Sequence, residues 1–77
     1  MTAREKRELT KRGLLNNYLN TLGETLAQSQ KLSDKIRKEH IDSQAMALAK
    51  NIPMMIEEAK KFYDEWIQLE NKENALA

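Results

Sequence analysis

Cysteine is absent from the 77-residue sequence, and histidine occurs once, at His40. The absence of cysteine excludes a disulfide framework, a thiolate nucleophile and a cysteine-based zinc site. No nucleophile or second base is spaced to work with His40, so we interpret it as a packing or solvent-exposed residue. The sequence therefore predicts a protein that is not an enzyme and holds no metal ion or other cofactor.

Glycine and proline are also scarce, with two and one residues respectively. Two scattered glycines cannot form a loop that cradles phosphate groups. The longest apolar block, Ile52 to Ile56, is interrupted by Pro53 and is far shorter than the roughly 20 residues of a membrane span. The N-terminal residues have mixed charge and do not resemble a secretory signal. These features favour a soluble, cytoplasmic protein that does not contact membranes.

What the sequence has in abundance is helix-forming residues. Ala, Leu, Met, Glu, Lys, Arg and Gln together supply 48 of the 77 residues, whereas valine is absent. These residue types have the highest helix propensities. A chain of this length has room for one domain. We therefore expect a single all-α domain spanning residues 1–77.

Apolar spacing predicts a small three-helix bundle. The expected helices cover residues 14–30, 34–51 and 53–71. The first follows leucines at positions 15, 19, 22 and 26, which lie on one helical face. Ser33 and Asp34 suit the start of the second helix, and Pro53 is expected to end or kink it.

The two ends of the chain are expected to pack loosely. Thr2 and Glu5 have the spacing of a capping box, which predicts a helix start. Leu9 is the only large apolar residue between Thr2 and Arg12, so residues 1–13 are predicted to form a loosely packed helical extension. Residues 72–77 are predicted to be a frayed tail.

The last predicted helix carries a wide apolar arc that predicts a protein interface. Its anchors are the large side chains Met55, Phe62, Tyr63 and Trp66, of types enriched at interfaces. The neighbouring acids Asp64 and Glu65 are expected to meet basic grooves on a partner. Such a wide arc needs more than one neighbour, so dimerisation through it is expected to complete the fold.

Charge is unevenly distributed, although the net charge is only +1. Residues 1–53 have ten basic and six acidic side chains, whereas residues 54–77 have three basic and six acidic side chains. The two parts are expected to attract each other, within one chain or between chains. The basic N-terminal segment is also a candidate nucleic-acid contact through its five cations, Arg4, Lys6, Arg7, Lys11 and Arg12.

The favoured function is a non-enzymatic protein-binding module. It would act as an adaptor or as an inhibitor that occludes a site on a larger protein, in the form of a homodimer. The alternative is a small DNA-binding transcriptional regulator that uses the basic N-terminal segment. A helix-turn-helix placed on residues 26–40 is a weaker version of that alternative, because its turn would lack the usual glycine.

Overall fold

The computed structural model describes residues 2–76, except for the side chain of Leu76. In this part of the chain there are two long α-helices, α1 (Ala3–Arg37) and α2 (Ser43–Leu76). They pack antiparallel as a hairpin 55 Å long and 19 Å across its wider short axis. The all-helical class is confirmed. The three-helix bundle is wrong, because the second and third predicted helices are not separated.

Helix α1 begins where the sequence predicts and continues much further. The backbone N–H of Glu5 donates to Oγ1 of Thr2 at 3.2 Å, which confirms the predicted N-cap. The helix then passes through Gly13 and through Ser33 and Asp34 without a break. Residues 3–13 are therefore part of a 35-residue helix, and a second helix does not start at Ser33. Neither glycine has a neighbour that a Cβ atom would touch, so no turn is needed there.

The turn between the helices is closed by hydrogen bonds at both of its ends. The N–H groups of Glu39 and His40 donate to the carbonyls of Ile36 and Lys35, the Schellman pattern of a helix end. Glu39 adopts the left-handed conformation, with φ at 59°, that this pattern usually assigns to glycine. On the other side, Oδ1 of Asp42 accepts from the N–H of Ala45 at 2.9 Å and caps α2.

Helix α2 corrects two further predictions. It contains Pro53 in its interior and neither ends nor restarts there. Proline lacks the N–H that would bond the carbonyl of Ala49, but the side chain of Pro53 is exposed, so its ring does not disturb the packing with α1. The predicted frayed tail is helical through Leu76, and Ala77 lies outside the described residues.

The two helices meet along a seam with a repeat of seven residues. In α1 the buried and half-buried positions recur at alternating steps of four and three residues, the spacing of antiparallel coiled coils. The seam residues of α1 include Lys11, Leu14, Tyr18, Thr21, Thr25, Gln28 and Leu32, and those of α2 include Ala45, Leu48, Ile52, Met55, Ala59, Phe62, Trp66 and Leu69.

The α1 side of this seam is unusually polar. Thr21 and Thr25 are both buried, and Oγ1 of Thr25 donates to the backbone carbonyl of Thr21 at 2.7 Å. This bond satisfies the Thr25 hydroxyl within its own helix, so that it can be buried without a partner from α2. Small residues such as Ala59, which is 2% exposed, complete the seam from α2.

Candidate interaction surface

The leucine stripe that predicts the first helix lies mostly on the exposed side of α1. Leu19 and Leu26 are 61% and 60% exposed, and Leu22 is also exposed. The helix presents its Lys11, Tyr18 and Thr25 edge to α2 instead, and the buried and half-buried positions of that edge keep the seven-residue repeat along the helix. Most of the leucine stripe is therefore outside the seam.

The leucine stripe of α1 continues onto α2 as one surface. A shallow groove of about 230 Å³ joins Leu22 to Ile56 and Tyr63 across the hairpin. Residues three, four or seven positions away on each helix lie on the same side as these three. We define the apolar face as the partly or largely exposed residues Leu15, Leu19, Leu22, Leu26, Ile36, Met46, Ile56, Tyr63 and Ile67.

Because this face is exposed, the hairpin does not gain the large free energy that burial of these side chains would contribute to its stability. Full burial of one leucine stabilises a protein by about 1.5 to 3 kcal/mol. Among the described residues, only Ala45, Leu48 and Ala59 are buried apolar residues, whereas ten large apolar side chains are exposed. Seven of these ten belong to the apolar face, so most of the large apolar side chains that the hairpin leaves exposed lie on one side of it.

The opposite side of the hairpin is of mixed polarity. Two grooves on that side are lined by polar residues of both helices and by the apolar side chains of Leu14, Met54, Met55 and Leu69. We define the polar face as the exposed polar residues of these grooves, Thr10, Asn51, Glu58, Glu65, Gln68 and Lys72. The two sides of the hairpin therefore differ in their share of charged and polar side chains.

The six residues predicted as a protein interface do not share one surface. Met55, Phe62 and Trp66 are half-buried along the seam. Tyr63 belongs to the apolar face and lies against the Tyr18 ring, with 5.6 Å between the ring centroids. The two acids, Asp64 and Glu65, are exposed, and Glu65 is on the polar face.

A charged cluster joins the helices near the open end of the hairpin. Nζ of Lys11 donates to Oε2 of Glu73 at 2.8 Å and also pairs with Glu70. The residue Lys11 is only 8% exposed, so these carboxylates replace most of the water around its ammonium group. Arg7 lies 3.9 Å from Glu73, although neither atom of that pair has a hydrogen bond. The predicted attraction between the basic and acidic parts is satisfied within the chain.

These contacts shift the pKa values of the cluster in opposite directions. Hydrogen bonds to Glu70 and then to Glu73 raise the pKa of Lys11 above its ordinary value. The hydrogen bond from Lys11 lowers the pKa of Glu73 below 4.5. Both shifts favour the charged forms, as expected for an ion pair held by hydrogen bonds.

The candidate nucleic-acid residues are divided by this cluster. Arg7 and Lys11 face the acids of α2, whereas Arg4, Lys6 and Arg12 are exposed. The helix-turn-helix on residues 26–40 is wrong, because α1 is continuous to Arg37.

Within residues 2–76, no three His, Asp or Glu side chains are grouped so as to hold a metal ion. Neither α1 nor α2 has a stretch long and apolar enough to cross a membrane.

Comparisons with known proteins give no relative: no protein-family model matches the chain, and no curated protein or solved structure is significantly similar to it.

Proposed function

We propose that this chain is a non-enzymatic protein-binding module, an adaptor or an inhibitor that occludes a site on a larger protein, and that it acts as a homodimer in the cytoplasm. The observation that supports this proposal is the excess of exposed over buried apolar side chains. Exposed apolar surface of this extent is typical of proteins that act by contact.

The proposed contact with the larger protein is the part of the outer surface of α2 around Asp64 and Glu65. These two acids are exposed on consecutive positions of a helix that packs against α1. Acidic side chains on the exposed side of a helix favour a partner with a basic groove, because complementary charge accelerates association and excludes wrong partners.

A charge-reversal pair with a matched control tests this contact. Partners would be captured from the native cell by photo-crosslinking and identified by mass spectrometry. The tagged baits are the wild-type protein, the double variant Asp64→Lys/Glu65→Lys, and the control double variant Glu57→Lys/Glu58→Lys. The control changes the same charge one heptad earlier on the same helix. We expect wild type and control to capture the same protein and the Asp64 and Glu65 variant to capture at least tenfold less. Equal capture by both variants, or capture of nothing, would contradict the proposal.

The DNA-binding alternative has less support. Two of its five cations, Arg7 and Lys11, already neutralise carboxylates of α2, and fewer free cations mean weaker phosphate binding.

A further inference from the structure

We propose that the apolar face is covered by a second copy of this chain, so that two hairpins form a four-helix bundle. The inference rests on the homodimer in the proposed function and assigns its interface. The seam that holds α1 to α2 is a different surface, and it is already occupied within each hairpin.

A single hairpin has few fully buried apolar residues to stabilise it. Its buried apolar residues are two alanines and one leucine among those described, and its α1 edge buries Lys11, Thr21 and Thr25. A chain of fewer than about 80 residues gains little stability from its own core, even when that core is fully apolar. The hairpin therefore needs its apolar face covered whenever it is folded.

A second copy of the chain is the cover that best meets this need. A partner that is required for folding must be present at all times and in equal amount, and a second copy always meets this condition. A two-fold axis also places the same apolar face on both sides of the interface, which is how most homodimers pair.

The area of the apolar face suits an interface between two copies. Leu15 and Ile36 are about 32 Å apart along α1 at the helical rise. With the 19 Å width of the hairpin, the face has roughly 600 Å² of projected area. Because side chains project from the helices, the accessible area of the face is larger than this projected area. It approaches the roughly 800 Å² that each partner buries in a stable interface.

Lys60 lies within this face, and its side chain lines the groove beside Tyr63. Its aliphatic stem can be covered while its ammonium group reaches the edge of the interface. A single charge inside an apolar interface disfavours packings that would bury it completely, so Lys60 is expected to restrict assembly to one geometry.

Sedimentation of matched variants tests the interface. Leu19→Glu places a charge on the apolar face, and Asn20→Glu places the same charge on the exposed neighbouring position, away from it. We expect wild type and Asn20→Glu to sediment at twice the 9.0 kDa chain mass. Leu19→Glu should weaken dimerisation at least 100-fold. A folded wild-type monomer, or equal weakening by both variants, would overturn the proposal.

Cysteine reporters keep the test valid if Leu19→Glu does not fold. Because the chain has no cysteine, Leu22→Cys and Asn20→Cys each introduce one thiol without disturbing the helix. A short bismaleimide should link two chains of Leu22→Cys, and not of Asn20→Cys. The thermal midpoint of wild type should also rise with protein concentration. A concentration-independent midpoint, or equal linking of both variants, would overturn the proposal.

The capture and sedimentation experiments together distinguish failure of the proposed dimer interface from failure of the proposed adaptor or inhibitor function. A dimer that captures no larger protein leaves the interface standing and removes the adaptor or inhibitor role. A monomer whose capture of a larger protein depends on Asp64 and Glu65 removes the interface and leaves the adaptor or inhibitor role standing.

Discussion

At the residue scale, single side chains decide which edge of α1 meets α2. Lys11 is buried because Glu70 and Glu73 pair with it, and Thr25 is buried because its hydroxyl bonds its own helix. A leucine side chain has no hydrogen bond or charge to satisfy, so it can be buried in any apolar interface. The polar residues of the seam are therefore the ones with specific partners.

The charged cluster predicts a pH dependence of stability. A carboxylate with a lowered pKa in the folded state stabilises it above the unfolded pKa, and the stabilisation is lost as pH falls through the folded pKa. For Glu73 the loss begins below about pH 4.5. For Lys11, whose pKa is raised, the stabilisation is present below pH 10.5 and is lost at still higher pH.

Urea unfolding of Glu73→Gln measures this contribution. We expect the variant to unfold at lower urea than wild type near pH 7 and to lose less stability as pH falls below about 4.5. Glu65→Gln, on the polar face, is the control and should follow the wild-type pH profile. Identical profiles for wild type and Glu73→Gln, at one protein concentration, would contradict the prediction.

At the scale of the elements, helix continuity is decided by packing. Gly13, Ser33 with Asp34, and Pro53 are each ordinary signals for a helix end, and α1 or α2 continues through all of them. A long helix gains a contact with its neighbour at every turn, and the sum of these contacts exceeds a local preference to stop. The actual break at Glu39 has no glycine or proline to mark it.

Pro53 makes this explanation testable. Proline in a helix interior is less favourable than alanine by about 3 kcal/mol, chiefly through a lost hydrogen bond and a backbone clash. We expect Pro53→Ala to raise the free energy of unfolding by up to about 3 kcal/mol. Chemical denaturation followed by circular dichroism would measure the gain, with Ala47→Pro, another exposed α2 position, as a destabilising comparison. An unchanged or lower stability would show that the proline is needed where it is.

At the scale of the whole molecule, the hairpin is long and thin. Its radius of gyration is 17.4 Å, whereas a compact domain of this length has about 11 to 12 Å. The shape follows from two helices of 35 and 34 residues joined by one short turn. Elongation also leaves each helix with one side in contact and the others open.

Small-angle X-ray scattering distinguishes this hairpin from the three-helix bundle that the sequence predicts. The hairpin has a longest dimension of at least 55 Å, which side-by-side pairing of two copies does not shorten. A bundle of helices of about 18 residues would be roughly 30 Å long. A maximum dimension well below 55 Å would contradict the hairpin.

The sequence alone determined that this protein is helical and that a helix begins at the Thr2 cap. Helix propensity and the Thr2 cap act within a few residues, so both are readable from the order of amino acids. The apolar period of the last helix was readable as well, but its large side chains divide between the seam and the apolar face, so the sequence did not identify one surface there.

Tertiary structure decided that there are two helices and which side of α1 faces α2. Both sides of α1 have a helical period, and the choice between them depends on α2, which offers the two acids Glu70 and Glu73 to Lys11. These partners are about 60 residues away from Lys11 in the chain, beyond the reach of any local pattern. The leucines were left on the outside because the seam was already filled.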